Sequence, residues 1–272
     1  MNIFVCLKQV PARDSPIRVS GEADWIEDSD LSYEMNEPDA YALEEGLRLR
    51  EKHGGEVVAV TAGPARAAST IREALAKGAD RGILIEDDRF ARSDALVTAR
   101  ALAAALGKEK HDLVLTGLQS DDAGFGQVGV ILAELLGLPH GTIIMEVQAE
   151  GIMEVHAEGI KDVEAEGSSI RVKRELEAGW FQHVEMPLPA LLTIQSGINK
   201  VRYATLMGIK KAKTKPLQRH TPDDLGLDME PSQTIQRLYA PKSAKQTQFL
   251  DGSAKEAAAK LLEKLKFEAR VL

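Results

Sequence analysis

Apolar positions along the chain follow two alternating periods. Short runs with little internal polarity, at 2–7, 56–62 (EVVAVTA), 82–86 and 112–117 (DLVLTG), read as strands. Between them, apolar residues recur every three or four positions. Ala40, Leu43 and Leu47 share one face of 38–53, which Gly54-Gly55 closes, and 65–77 closes at Gly78. Leu96, Ala99, Leu102, Ala103 and Leu106 form the stripe of 93–106, and 127–136 follows the fourth strand. Each stripe with its glycine stop predicts a helix. Strand and helix in alternation, with short connections, predict right-handed βαβ units around a parallel sheet. The near-continuous apolar strands agree, because a strand covered on both faces loses its alternation. In such sheets ligands lie outside the carboxyl ends of the strands. Those ends fall near 7–10, 61–63, 85–87 and 116–122.

The second half has a different character. From 142 to 194 the pattern alternates and is rich in Gly and Glu, as in antiparallel hairpins. MEVQAEGI (145–152), MEVHAEGI (153–160) and KDVEAEGS (161–168) repeat an octad with Val and Ala on one side and acids on the other. Three octads are too few for a solenoid, so an expanded hairpin or small meander is expected. Residues 200–219 hold seven Lys or Arg and no Asp or Glu, and 221–248 is irregular, with Pro222, Pro231 and Pro241. At 253–267, Ser253 and Glu256 form a capping box ahead of Ala258, Leu261, Leu262 and Leu265. A helix reached through an irregular arm cannot bury its stripe within the arm. It must dock on its own domain or on a partner subunit.

Composition narrows the chemistry. With 44% hydrophobic residues in 272, intrinsic disorder is excluded, and a net charge of −8 argues against a general nucleic-acid binder. The single cysteine, Cys6, allows neither a disulfide framework nor a redox pair, and the six histidines form no metal-ligand spacing. The N-terminus lacks the pattern of a signal peptide, and no apolar run approaches the ~18 residues of a membrane span. A soluble, cytoplasmic protein without direct membrane insertion is expected. Gly124-Phe125-Gly126-Gln127-Val128-Gly129 matches GxGxxG, but the preceding strand ends near Gly117, too early for the ordinary dinucleotide turn. What remains is a glycine-rich, donor-bearing loop before a helix, which reads either as a phosphate site or as a plain loop, with phosphate favoured. Gln119, Ser120, Asp121 and Asp122 fill that loop, and at least one of the adjacent acids is read as a cap rather than a Mg²⁺ ligand. Cys6, within an apolar strand, reads as a small inert hydrophobe. There is no GxxxxGK, GxSxG or SGGxDS signature. The basic stretch at 202–213, with Leu206 and Met207 between charges, reads as a protein-docking segment or a solvated loop.

Several blocks fall in a familiar order: VCLKQVP (5–11), MNEPDAYALEEGLRLREKHGG (35–55), VVAVTAGP (57–64), IREALAKGADRGILIE (71–86) and GLQSDDAGFGQVG (117–129). VKRELEAGWFQHVEMPLPALLTI (172–194), VRYATLMGIKKAKTK (201–215) and PDDLGLD (222–228) follow. Together they resemble the beta (small) subunits of electron-transfer flavoproteins over nearly the whole chain, failing at the octads and after Asp228. The resemblance implies an α/β fold with a doubly wound, mostly parallel sheet of the adenosine-nucleotide α-hydrolase type, an antiparallel hairpin extension and a C-terminal arm. It divides the chain into a nucleotide-binding domain (1–199, with the hairpin expansion at 142–186), a partner-recognition loop with a basic segment (200–215), and an arm wrapping the partner (216–272).

That family forms obligate heterodimers with an alpha subunit holding the redox-active FAD. The beta subunit is not a catalyst; it binds AMP and presents a docking loop to dehydrogenases such as acyl-CoA dehydrogenase, with electrons passing on toward a membrane quinone oxidoreductase. By position, the nucleotide contacts fall on Cys6, Asn36, Ala62 and the loop from Gly117 to Val128, including Gln119, Ser120, Asp122, Gly124, Phe125, Gly126 and Gln127. The docking anchor falls on Leu206, with Arg202, Tyr203 and Met207 beside it, and Arg13 falls on the flavin side. Bifurcating relatives, which hold a second FAD in place of AMP and oxidise NADH, tend to carry Asp-Gly-Asp-Thr-Ala-Gln-Val-Gly where this chain has DAGFGQVG (122–129). The bulk of Phe125 favours AMP. A stand-alone nucleotide-binding enzyme of the same fold is disfavoured by the missing SGGxDS motif and by the unpartnered last helix.

Overall fold

The computed structural model describes residues 1–22, 24–150, 168–240 and 247–271. Strands β1 (Asn2–Cys6), β2 (Gln9–Pro11) and β3 (Tyr33–Met35) lead into helix α1 (Glu37–His53). There follow β4 (Glu56–Gly63), α2 (Ala68–Lys77), β5 (Arg81–Glu86), α3 (Ala95–Leu106), β6 (Leu113–Gly117) and α4 (Val128–Leu136). The second half adds β7 (His140–Glu150), β8 (Ser169–Glu175), β9 (Phe181–Pro187), β10 (Ala190–Ile194), α5 (Leu206–Ala212), β11 (Leu217–His220) and α6 (Ala254–Phe267).

One nine-stranded sheet runs β11-β5-β4-β1-β6-β10-β7-β8-β9, and β2 pairs with β3 in a separate ribbon. The strands from β11 to β7 are parallel; β8 and β9 continue antiparallel. The chain winds outward from β1 through β4 to β5, then returns to place β6 on the other side of β1. The order therefore reverses between β1 and β6, which makes their carboxyl ends the crevice of the fold. Alternate residues of each strand feed opposite cores. Ile3, Val5, Val57, Leu113 and Leu115 pack under α1 and α2 with Leu43, Leu47, Ile71 and Leu75. Phe4, Val58, Val60, Ile83 and Val114 pack with Leu102, Leu106 and Leu132 of α3 and α4. Each such side chain, fully buried, contributes about 1.5–3 kcal/mol. The sheet is thus covered on both faces, as the apolar strand runs require.

The structure departs from the sequence reading in the second half. β10 falls within the stretch read as antiparallel, yet it inserts parallel between β6 and β7. All five of its residues are buried, like the strands of the first half. β7 starts in the parallel sheet and runs on past it, where β8 and β9 form the expected hairpin extension. Of the octads, only 145–150 and Ser168 belong to the described residues; the remainder lies outside them. Within the stretch expected to be a loop, 206–212 forms α5, capped by Thr205, whose hydroxyl accepts the Gly208 N–H at 3.0 Å. The chain then rejoins the sheet as the edge strand β11. The capping box of α6 is present, with Ser253 and Glu256 exchanging side-chain and backbone hydrogen bonds, and no residue of α6 is buried.

Candidate functional site

At the β1/β6 crevice, the start of α1 organises the loop that follows β6. Asn36, just ahead of α1, is buried. Its amide donates to the Gln119 carbonyl at 3.0 Å, and its carboxamide oxygen accepts the Asp121 N–H at 2.9 Å. Asp39, in the first turn of α1, is buried as well, and its carboxylate accepts the N–H of Lys8 at 2.7 Å and of Gly117 at 2.9 Å. One side chain thereby joins the carboxyl ends of two strands. Burial pushes the Asp39 carboxyl up to about 7, against the opposing pull of these donors and the Lys8 charge. Gly117 leaves no room beside it, since a Cβ there would fall on the Asp39 carboxylate and on Pro38.

Lys8 reaches across the crevice to the same loop, with its ammonium 2.6 Å from Asp122 and 3.3 Å from the Ser120 hydroxyl. Burial works against the charge of Asp122, but Lys8, Ser120 and the Ala123 N–H outweigh it and hold the carboxyl below its usual range. Asp121 does act on a helix end, though on α1 rather than α4: it accepts the Glu37 N–H at 3.4 Å. Arg13 pairs with Glu37 and lies 3.6 Å from Asp121, so its charge is tied to the rim of this loop.

The glycines have distinct duties. Gly124 and Gly126 take left-handed conformations (φ 66° and 62°), which a side chain would strain. Gly129 lets α4 approach the sheet, as a Cβ there would stand 2.7 Å from Thr116 and Thr193. No side chain caps α4 at Gln127, so its first N–H groups face the loop ready for an anion. The Gly124 N–H is already given to the Ser120 carbonyl at 2.9 Å, so the donors open to a phosphate are those at the start of α4.

The structure brings Cys6, Asn36, Gly117, Gln119, Ser120 and Asp122 together around Lys8 and the start of α1. Ala62 lies one strand away on β4, and Val128 packs into the core under α3 and α4. Phe125 is 61% exposed at the loop. Burial, with Asp39 nearby, pushes the Cys6 thiol far up, which keeps it a neutral core side chain. Sequence reasoning missed Lys8 and Asp39. The first is signalled only by a cation directly after an apolar strand, the second by nothing beyond an acid in a first helical turn.

The second set of candidate residues stands apart. Tyr203 and Leu206 are 92% and 88% exposed, and Met207 and Ile209 are exposed beside them. Arg202 does not belong to this face: its guanidinium donates to Glu44 at 2.8 Å and to Glu51, tying it to α1. A cleft of about 750 Å³ opens elsewhere, beyond β4 and β5, lined by Trp25, Pro64, Arg66, Arg89 and Arg92. Arg89 and Arg92 are taken up by Asp87 and Asp24. Among the described residues there is no cluster of three metal-ligating side chains, and no helix is long and apolar enough to cross a membrane.

The electron transfer flavoprotein domain model matches residues 25–225. The chain is 35% identical over 271 residues to an electron transfer flavoprotein subunit beta of Methylophilus methylotrophus, covering 97% of both chains. It is 36% identical over 277 residues to the Bacillus subtilis (strain 168) protein of that name, covering 100% of both. To the human one it is 37% identical over 232 residues, covering 84% of each.

Proposed function

The chain belongs to the family of electron transfer flavoprotein beta subunits, and on that premise we propose that it is the nucleotide-holding, partner-docking half of a cytoplasmic heterodimeric electron carrier. Membership implies an alpha-subunit partner and a part in flavin-based electron transfer rather than catalysis. In our reading, FAD is held mainly by the alpha subunit, where it supplies the electron-carrying chemistry. The present chain holds AMP at the loop from Gly117 to Val128.

The observation that carries this reading is the loop itself: two left-handed glycines running into the uncapped start of α4. Asn36, Asp39 and Lys8 hold that loop in place from α1 and β1, so its N–H donors are oriented before any phosphate arrives. Phe125, bulky within the loop, supports AMP over the longer diphosphate of a second FAD. Arg13, at the rim, is assigned to the side facing the alpha subunit's flavin.

The exposed face of Tyr203, Leu206 and Met207 is the docking element for dehydrogenases, acyl-CoA dehydrogenases among them. An anchor this small suits the short-lived encounters of redox partners. Electrons received by the heterodimer then pass to a membrane quinone oxidoreductase. The arm that ends in α6 embraces the alpha subunit, which would cover the exposed stripe of Leu261 and Leu262.

Mass spectrometry of the cofactors released from the co-expressed, denatured heterodimer tests the nucleotide assignment. One FAD and one AMP per heterodimer are expected. Two FAD and no AMP would replace this reading with a bifurcating, NADH-oxidising protein.

A further inference from the structure

The segment after the sheet is tied to the body of the protein at three places. At its start, the Arg202 guanidinium spans Glu44 and Glu51 on α1. At its end, Arg72 of α2 donates to the carbonyls of Ala212 at 2.7 Å and Lys215 at 3.0 Å, taking up acceptors that the end of α5 leaves open. The Lys215 ammonium in turn donates to the carbonyls of Leu75 and Ala79 at the end of α2. Between these ties α5 lies against α2 with Ala212 buried. Gly208 stands directly on the α2 backbone: a Cβ there would fall far inside contact distance of the Ala76 carbonyl oxygen. That obstacle is main chain within a helix, so it cannot rotate aside as a side chain would.

A helix of seven residues has no stability of its own in water. Its position is therefore decided by what it rests on. Leu206, Met207 and Ile209 project from the exposed side of this short helix, and Tyr203 precedes it. Any side chain at 208 must lift or tilt α5 and carry the apolar residues with it.

We propose that Gly208 is the positioning residue of the dehydrogenase-docking face, setting the height of a preformed α5 on α2 while Arg72 and Lys215 lock it there. The inference rests on the docking role assigned above to Leu206. A face ordered before contact is spared the cost of ordering on binding. It also presents the anchor to every partner in one geometry.

Two measurements on the whole heterodimer test this. Hydrogen exchange without any dehydrogenase should find the amides of Ile209–Ala212 protected; free exchange there would overturn the preformed helix. With a dehydrogenase that reduces the wild-type heterodimer, Gly208→Ala should raise the KM for the heterodimer roughly tenfold, with kcat, FAD and AMP content unchanged. The Leu206→Ala/Gly208→Ala double variant should then lose less than the sum of the two single losses, because the glycine acts in part through the anchor it places. Additive losses, or a Gly208→Ala variant equal to wild type beside an impaired Leu206→Ala, would overturn the positioning role and leave docking intact. No effect of Leu206→Ala would overturn the docking reading itself. Should Gly208→Ala fail to assemble, Arg72→Ala, which frees the carbonyls at the end of α5, carries the same expectation.

Discussion

Asp39 holds the carboxyl ends of β1 and β6 on one carboxylate, and burial raises its pKa from 3.8 to about 7. Between those values the folded chain retains a proton that the unfolded chain has released. Stability from this group is thus present at low pH and is lost as pH rises toward 7. Asp39→Asn mimics the protonated form and removes the dependence. The wild type should lose stability relative to Asp39→Asn between about pH 4 and pH 7, by about 1.4 kcal/mol per pH unit at the steepest; parallel denaturation curves across that range would refute it. Lys8 makes a second, separable case. Lys8→Met strands Asp122 without its ion pair, so the loop should slacken and AMP content fall while FAD content holds. Equal AMP in both proteins would show that Lys8 does not support the loop. Asn36 was legible as the residue ahead of a helix. Asp39 was not, because a first-turn acid looks the same in sequence whether it faces water or two buried N–H groups.

Among the elements, α3 and the arm meet at Asp94. One carboxylate oxygen caps α3 by accepting the Val97 N–H at 2.8 Å; the other accepts the N–H groups of Ser232 at 2.7 Å and Gln233 at 3.0 Å. Asp94→Asn keeps an oxygen for the cap but turns an amide donor toward the two arm donors. The expected result is little change in thermal stability, since the cap survives, and faster limited proteolysis beyond Gln233; an unchanged cleavage rate would count against the clasp. At the other end of the arm, no residue of α6 is buried within the chain. Leu261→Asp with Leu262→Asp should leave the fold of this chain intact and abolish co-purification with the alpha subunit, and full recovery of the heterodimer would sink that assignment. The helices of the first half were legible because each has its own stripe and glycine stop. α5 and β11 were not, being seven and four residues long and held by packing on α2 and pairing with β5.

For the whole molecule, charge is unevenly spread. The net charge is −8, yet 200–219 holds seven cations and no acids. Lys210, Lys211 and Lys213 are exposed on and just after α5, beside the apolar face proposed for docking. Attraction of an acidic partner should weaken as the screening length shrinks from about 30 Å at 0.01 M salt to about 3 Å at 1 M. The second-order rate of reduction by a dehydrogenase should fall over that range, and Lys210→Gln with Lys211→Gln should flatten the slope; a rate indifferent to salt would exclude steering. The sequence by itself determined the alternation of strand and helix, the glycine-rich loop between β6 and α4, and the capped last helix with its exposed stripe. Each of these is written in the periodicity, caps and turns of neighbouring residues. Only the tertiary structure decided that β10 enters parallel between β6 and β7, that Asp39 joins residues 8 and 117, and that Gly208 rests on Ala76. Those are contacts between residues far apart in the chain, and a local pattern holds no record of which distant neighbour the packing will bring against it.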